Sequence, residues 1–200
     1  MKKIFWMDTE TTGVDCNKHA IIQLSAQIEI DDTVRHVINM RIQPFPGAEI
    51  NPSALEINGM TEEEIQAFTP LDSSLKTLKN ILKRYVNKFN RDDKFVIAGY
   101  NVGFDTNFLR AAFDYINDPY YGSWFFPCNR DVMTYVADYI TLSGVRLKNY
   151  RLETMCEHFG IELKAHDAMS DIEATKQLYE VIQKYLIGAR SLENGGYSVN

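Results

Sequence analysis

The sequence has few cysteines and none of the features that would fix a disulfide-rich or membrane fold. Its three cysteines, Cys16, Cys128 and Cys156, are widely spaced and form no C-x-x-C pair. Isolated cysteines in odd number predict neither a disulfide framework nor a zinc site. The chain also lacks a run of about 20 apolar residues, the length that a membrane-spanning helix requires.

Positive charge is also scarce, because 21 lysines and arginines are outnumbered by 27 aspartates and glutamates, for a formal net charge of −6. Proteins that hold long nucleic acid duplexes generally present basic surfaces, so the balance argues against tight duplex binding. The opening MKKIFW resembles the start of a signal peptide, but Asp8 and Glu10 interrupt it before an apolar segment forms. We therefore expect a cytoplasmic protein, and 200 residues suffice for one domain with its own core.

An apolar run at the start of the chain leads directly into acidic residues. KIFWM precedes Asp8 and Glu10, as expected at the end of a buried strand. The two acids are two residues apart, so on an extended backbone both side chains project to the same face. Two carboxylates on one face repel each other unless a cation neutralises them, and carboxylate oxygens are the ligands that Mg²⁺ and Mn²⁺ prefer.

Two later stretches carry the same kind of chemistry. Asp105 lies in NVGFDTNFL, shortly after a predicted strand at 95–98, and His166 and Asp171 lie in HDAMSDIEAT. His166 and Asp171 are five residues apart and cannot share one helical face, so we expect His166 in a loop or at a helix start and Asp171 within the helix. Four carboxylates and one imidazole predict metal-assisted hydrolysis of a phosphodiester.

These three motifs, in this order, resemble those of the DnaQ-like 3′–5′ exonucleases, the DEDDh group of ribonuclease H-like nucleases, over about residues 3–186. The resemblance implies that Asp8, Glu10, Asp105 and Asp171 bind two Mg²⁺ ions, for which Mn²⁺ substitutes, and that His166 is the general base. It also implies hydrolysis of terminal phosphodiesters of single-stranded nucleic acid, with DNA favoured over RNA, to nucleoside 5′-monophosphates.

The resemblance also suggests residues that bind the terminal nucleotide. They are Thr11, Thr12, Met60, Asn101 and Phe104. The two threonines either hold the nucleotide through amides or hydroxyls or only form a turn, whereas Met60 would pack against the terminal base. Asn101 would order the loop around Asp105, and Phe104 would line the nucleotide pocket or belong to the core. Asn58 and Tyr100 occupy positions where relatives usually carry histidine.

Two other stretches have a functional and a structural interpretation. Residues 120–126 (YYGSWFF) are rich in aromatic side chains, which either stack on unpaired bases or belong to the core. Arg146, Lys148 and Arg151 form a basic cluster that either binds phosphate or covers a solvated helix entry.

The pattern predicts an α/β fold, a ribonuclease H-like mixed five-stranded sheet flanked by helices. Strands are predicted at about 3–9, 21–30, 34–42 and 95–98, and helices at 52–57, 61–67, 103–116, 131–141, 149–159 and 168–186, with a further helix from Asp72. Thr61 with Glu64 predicts a capping box, and Asp72 is expected to cap its helix. We assign residues 1–187 to the exonuclease domain and the polar residues 188–200 to a tail.

Three other functions are compatible with the same motifs. An RNA-trimming exoribonuclease would use the same site, because no motif reports on recognition of the 2′-hydroxyl. A hydrolase of small phosphoesters would keep the site without the polymer, and an inactive docking module would keep only the fold. A DNA polymerase subunit is a possible partner, and the sequence gives no sign of the oligomeric state.

Overall fold

The computed structural model describes residues 2–164 and 168–194, and side chains as far as residue 188. Its elements, in chain order, are β1 (Lys3–Thr11), β2 (Ile21–Ile30), β3 (Thr33–Gln43), α1 (Pro52–Asn58), α2 (Glu62–Gln66), β4 (Thr69–Pro70), α3 (Leu71–Leu82), β5 (Val96–Gly99), α4 (Gly103–Tyr115), a 3₁₀ turn (Tyr121–Ser123), β6 (Arg130–Asp131), α5 (Val132–Ser143), α6 (Leu152–Phe159) and α7 (Ala168–Asn194).

One mixed sheet organises the described residues, with strand order β4-β3-β2-β1-β5-β6. Strands β1 to β3 are antiparallel, whereas β5 pairs parallel to β1 and β6 pairs parallel to β5. Asp31 and Asp32 form the turn between β2 and β3 with φ of 48° and 62°, the left-handed conformation that tight hairpin turns need. The α/β fold is as predicted, but the sheet has six strands rather than five. The sequence did not predict β4 and β6, because each is two residues long and too short to show a period-two pattern.

Strand β1 lies at the centre of the sheet and is buried on both faces. Phe5 and Met7 pack on one face in a core that includes α3 and α4. Trp6 packs on the opposite face in a second core that includes α5, α6 and α7. The same alternation directs Asp8 and Glu10 to one face, as the sequence predicted, and the structure shows that this is the α7 side of the strand.

Of the two predicted helix caps, one is confirmed and one is wrong. The Thr61 capping box is present, with the Glu64 amide donating to Thr61 Oγ1 over 3.2 Å and the Thr61 amide donating to Glu64 Oε2 over 2.7 Å. The expected cap at Asp72 is wrong, because α3 begins one residue earlier at Leu71 and Pro70 occupies the capping position without a side-chain hydrogen bond. The ring of Pro70 already restricts φ, so the helix starts directly after it.

The aromatic stretch after α4 belongs mainly to the core. Tyr121, Trp124 and Phe125 are buried, and the Phe125 ring lies 5.3 Å from that of Phe5. Only Tyr120 is largely exposed among these large aromatic side chains. The structural interpretation of this stretch is therefore confirmed for its buried members.

The last helix is longer than predicted. Helix α7 extends to Asn194, whereas the sequence predicted an end near residue 186. Gly188 weakens a helix by about 1 kcal/mol relative to alanine, but good helix formers such as Ala189, Arg190 and Leu192 follow it. The division into a domain at 1–187 and a tail at 188–200 stays a prediction. Within the described chain, no helix is both long and apolar enough to cross a membrane.

Candidate active site

The end of β1 delivers the first two carboxylates. Asp8 pairs with Ser25 and Glu10 with Gln23 in the antiparallel ladder, and the register then shifts between Glu10 and Thr11. Both acids are partly buried, in contrast to the fully buried apolar residues that precede them in the strand. The irregularity ends the regular strand immediately after the acidic pair.

Asp105 reaches β1 from the face of the sheet opposite to Asp8 and Glu10. It lies in the first turn of α4 and is only 4% exposed. Its Oδ1 accepts hydrogen bonds from the Thr9 amide over 2.9 Å and from Thr9 Oγ1 over 2.6 Å. The sequence did not predict Thr9 as a site residue. Its position between Asp8 and Glu10 is the feature of the sequence that could have indicated this role.

Asp171 comes from the face of the sheet opposite to Asp105. It lies in the first turn of α7 and lines a cleft of about 510 Å³ together with Asp8. A buried ion pair holds this helix to the sheet, because Lys176 Nζ lies 2.8 Å from Glu29 Oε2 on β2. Lys176 also donates to Gln27 Oε1 over 3.1 Å. Two helices on opposite faces thus bring their aspartates to one strand end.

The electrostatics of these carboxylates disfavour their charged forms in the protein alone. Burial raises the pKa of Asp8 well above its usual range, and the charges of Asp105, Glu10 and Asp171 raise it further. Burial also raises the pKa of Asp105 to about 7, although the hydrogen bonds from Thr9 oppose the rise. Two aspartates whose charged forms are destabilised by burial and by neighbouring acids fit a site for divalent cations.

The donor set consists of hard oxygen ligands, which suit Mg²⁺ or Mn²⁺. Among residues 2–164 and 168–194, no three histidine, cysteine or acidic side chains lie close enough to enclose a metal ion as they stand. His166, the predicted general base, lies outside the described residues.

The two threonines after the acidic pair use their hydroxyls within the protein. Thr11 Oγ1 donates to the Gly13 carbonyl over 2.6 Å. Thr12 Oγ1 donates to the Glu49 carbonyl over 2.7 Å and accepts from the Ala20 amide over 2.9 Å. These contacts favour a turn-forming role for the two hydroxyls.

Met60 is brought to the β2 side of the site by the end of α1. Asn58 Nδ2 donates to the Thr11 carbonyl over 3.0 Å, and Gly59 ends the helix with φ of 62°. Met60 then packs, partly buried, against a small apolar cluster that contains Ile22 of β2. Asn58 thus contacts the protein backbone at the end of β1.

Asn101 and Phe104 occupy different environments near Asp105. Asn101 adopts a left-handed conformation with φ of 53°, and its backbone N–H donates to Asp131 Oδ1 over 2.9 Å. It is exposed and lines the cleft that contains Asp8. Phe104 packs against Phe108 with ring centroids 4.8 Å apart, at the edge of the core.

The basic cluster is divided by the structure. Lys148 Nζ lies 3.1 Å from Glu157 Oε2 in an exposed ion pair. Arg151 lines the acidic cleft, whereas Arg146 is exposed and does not line it. Only one of the three cations therefore lies at the cleft that holds Asp8 and Asp171.

An antiparallel three-stranded unit followed by a parallel strand, with acids at the end of β1 and on helices packed against both faces, defines a ribonuclease H-like nuclease. Residues 5–179 match the family model RNase_T, described as exonuclease, and the chain belongs to this DnaQ-like exonuclease family. The prediction that the protein is an exonuclease is thereby confirmed.

Similar proteins support the same assignment. Ribonuclease T of Blochmanniella pennsylvanica (strain BPEN) is 28% identical over 189 residues, 90% of this chain and 83% of that protein. Ribonuclease T of Actinobacillus pleuropneumoniae serotype 5b is 28% identical over 185 residues, 86% of this chain and 79% of that protein. E. coli Exonuclease I in complex with a dT13 oligonucleotide has a TM-score of 0.73 at 25% identity, covering 94% of this chain and 43% of that one. The chain thus spans less than half the length of Exonuclease I.

Proposed function

We propose that this protein is a divalent-metal-dependent 3′–5′ exonuclease that acts on single-stranded 3′ ends. The observation that carries the proposal is the convergence of Asp8, Glu10, Asp105 and Asp171 at the end of β1, where burial and then the charges of the other three acids raise the pKa of Asp8. A site of this kind is costly to fold unless cations occupy it, and cations are what phosphoryl transfer requires.

The four carboxylates would hold two divalent ions, with Mg²⁺ as the proposed metal and Mn²⁺ as a substitute. When bound, such ions supply charge neutralisation at the attacking and leaving oxygens and make water a better nucleophile. His166 is the proposed general base, because a neutral imidazole accepts a proton from the attacking water near neutral pH. The products are a nucleoside 5′-monophosphate and a strand with a new 3′-hydroxyl.

We place the terminal nucleotide on the β2 side of the carboxylates. Met60 would contact the terminal base, since the Asn58 hydrogen bond to the Thr11 carbonyl brings it to the end of β1. Thr11 and Thr12 would contribute backbone rather than hydroxyl groups, because their hydroxyls already have protein partners. Phe104 would line this pocket from its outer edge, and Asn101 would order the loop before α4.

Single-stranded DNA is the proposed substrate, and the support for it is the likeness to Exonuclease I bound to a dT13 oligonucleotide. RNA trimming is the second candidate, favoured by relatives named Ribonuclease T that match along most of their length. We further propose a cytoplasmic location, which the free cysteines Cys16, Cys128 and Cys156 support. If DNA is the substrate, a polymerase subunit is the proposed protein partner.

A comparison of matched DNA and RNA oligonucleotides tests the proposal. Each strand would carry a label at its 5′ end in one sample and at its 3′ end in another, single-stranded or annealed, with Mg²⁺ or Mn²⁺ present. A 5′-labelled ladder together with immediate release of the 3′ label as a mononucleotide is expected on single strands. The faster of the two polymers identifies the substrate. Internal cleavage, or loss of mononucleotides from the 5′ end, would contradict the proposal.

The other functions give different results in the same assay. A hydrolase of small phosphoesters would leave both polymers intact while hydrolysing the p-nitrophenyl ester of thymidine 5′-monophosphate. A docking module would cleave none of them and would still bind an oligonucleotide, as measured by fluorescence anisotropy. Either result would replace the exonuclease proposal.

A further inference from the structure

The cleft that contains Asp8 and Asp171 has a wall that the exonuclease motifs do not explain. We refer to Tyr100, Tyr150 and Arg151, which line this cleft, as the Tyr150 wall. Tyr150 is 52% exposed although it is a large aromatic residue, and Arg151 is exposed beside it. An exposed aromatic ring and a guanidinium are the two groups that bind single-stranded nucleic acid without base specificity.

The wall is held in place by hydrogen bonds at both ends. The Tyr100 hydroxyl, at the end of β5, donates to the Tyr150 carbonyl. Asn149 Oδ1 accepts from the Arg151 amide over 3.0 Å and from Thr154 Oγ1 over 2.7 Å, which fixes the turn that leads into α6. The backbone that presents the ring and the guanidinium is therefore anchored to β5 and to α6, and less ordering is required when a ligand binds.

The wall and the proposed terminal-nucleotide pocket lie on opposite sides of β1. Met60 packs against Ile22, and β2 is the neighbour of β1 on one side. Tyr100 directly follows β5, the neighbour of β1 on the other side. A strand whose last nucleotide lies at Met60 and whose scissile phosphate lies at the carboxylates would continue towards the Tyr150 wall.

We propose that the Tyr150 wall binds the nucleotide on the 5′ side of the scissile phosphodiester, with the Tyr150 ring stacked on its base and Arg151 paired with a backbone phosphate. The inference rests on the proposed function and adds a second nucleotide subsite to it. It also explains how a chain with a net charge of −6 holds its substrate, through one stacked base and one cation beside the acidic site.

The charges around the cleft favour Arg151 as the phosphate contact. Lys148 is paired with Glu157 and does not line the cleft. Glu153 lines the cleft together with Arg151, so the wall as a whole is close to neutral. Attraction for a phosphate must therefore come from a short-range contact with the guanidinium rather than from a general positive potential.

Two substrates of different length separate this role from a structural one. The p-nitrophenyl ester of thymidine 5′-monophosphate carries a terminal nucleotide and no nucleotide on the 5′ side, whereas a single-stranded oligonucleotide carries both. We would measure kcat/KM for each and report their ratio, oligonucleotide over ester. Tyr150→Ala and Arg151→Gln are each expected to lower this ratio by about tenfold, the loss of one stacked base or one charge-assisted contact.

Lys148→Gln is the matched control, because it removes a neighbouring cation that does not line the cleft, and its ratio should equal that of the unmodified chain. Tyr150→Phe keeps an aromatic face and should also retain the ratio. An unchanged ratio in Tyr150→Ala and Arg151→Gln, whether both rates fall together or neither falls, would overturn the proposal. Failure of the proposed function is a distinct result, since the unmodified chain would then leave the oligonucleotide intact, whether or not it hydrolyses the ester.

Discussion

The Thr9 hydroxyl donates a hydrogen bond to Asp105 Oδ1 over 2.6 Å, and the Thr9 amide donates to the same oxygen over 2.9 Å. Thr9 lies between Asp8 and Glu10 in β1, whereas Asp105 lies in α4. The contact fixes one oxygen of a buried carboxylate and opposes the rise in its pKa. It therefore links the geometry of the site to its protonation.

Replacing Thr9 with valine should shift the pH dependence of cleavage. The Oγ1 hydrogen bond lowers the pKa of Asp105, so its loss should raise that pKa further above its present value of about 7. A more easily protonated Asp105 competes less well for cations, and the rising limb of the rate profile should move up by about one pH unit. Thr9→Ser retains a hydroxyl and serves as the control. Superimposable profiles for Thr9→Val and the unmodified chain would show that the hydroxyl has no such effect.

Without metal, the stability of the protein should fall as the pH rises through neutrality. The pKa of Asp105 is raised in the folded state from 3.8 to about 7, so the folded state binds the proton more tightly than the unfolded state between these values. Its contribution to stability is therefore present at low pH and is lost as the pH approaches 7. Asp105→Asn, which cannot ionise at this position, should remove the share of this dependence that Asp105 contributes and leave the share that comes from the raised pKa of Asp8.

Urea unfolding in EDTA at pH 5 and pH 8 would measure the effect. The free energy of unfolding of the unmodified chain, relative to Asp105→Asn, should fall between these pH values by an amount on the order of 2–3 kcal/mol. Addition of Mg²⁺ at pH 8 should restore stability only in the unmodified chain, since cations neutralise the charged site. Parallel pH profiles for the two proteins would contradict the raised pKa.

The ion pair between Lys176 and Glu29 should be important for the docking of α7. Both side chains are mostly buried, at 17% and 10% exposure, so Lys176→Met would leave a buried carboxylate without its cation. We expect a loss of about 3 kcal/mol in the free energy of unfolding, largely recovered when Glu29→Gln is added. Lys184→Met, at an exposed position of the same helix, is the control. Additive effects of the two substitutions would show that the pair is not coupled.

Substitution of His166 should separate the general base from the metal ligands. His166→Ala is expected to lower the cleavage rate by about 10²–10⁴-fold, the usual contribution of general base catalysis. The increase in melting temperature on addition of Mn²⁺ should remain, because His166 is not among the proposed ligands. Asp171→Asn should reduce both the rate and the metal-induced stabilisation. Loss of the metal effect in His166→Ala would instead identify His166 as a ligand.

The parts of this structure that could be predicted from sequence are those encoded locally. The alternation in β1 to β3 and the Thr61 capping box depend on residues a few positions apart. Strands β4 and β6 could not be predicted, because two residues show no periodicity. The extension of α7 past Gly188 could not be predicted, because a glycine favours a helix end although good helix formers follow it here.

The candidate site shows the same limit. The acidic residues are recognisable because their types and order form motifs. The contact between Thr9 and Asp105 joins residues 96 positions apart, and the hydrogen bond from Lys176 to Gln27 spans 149 positions. No local pattern reports such contacts. Arg151 could be separated from Lys148 only once the cleft was known, since both lie in the same basic stretch.

A time course with a 5′-labelled single-stranded oligonucleotide, in Mg²⁺ and in EDTA, for the unmodified chain and for Asp8→Asn, would show whether a metal site at the end of β1 is responsible for cleavage. We expect a ladder shortening from the 3′ end that requires Mg²⁺ and is lost in Asp8→Asn, with a rate reduction of about 10³-fold or more. Asp8→Asn should remain folded, since it relieves repulsion among the acids. Undiminished cleavage in EDTA or by Asp8→Asn would contradict a metal site at the end of β1.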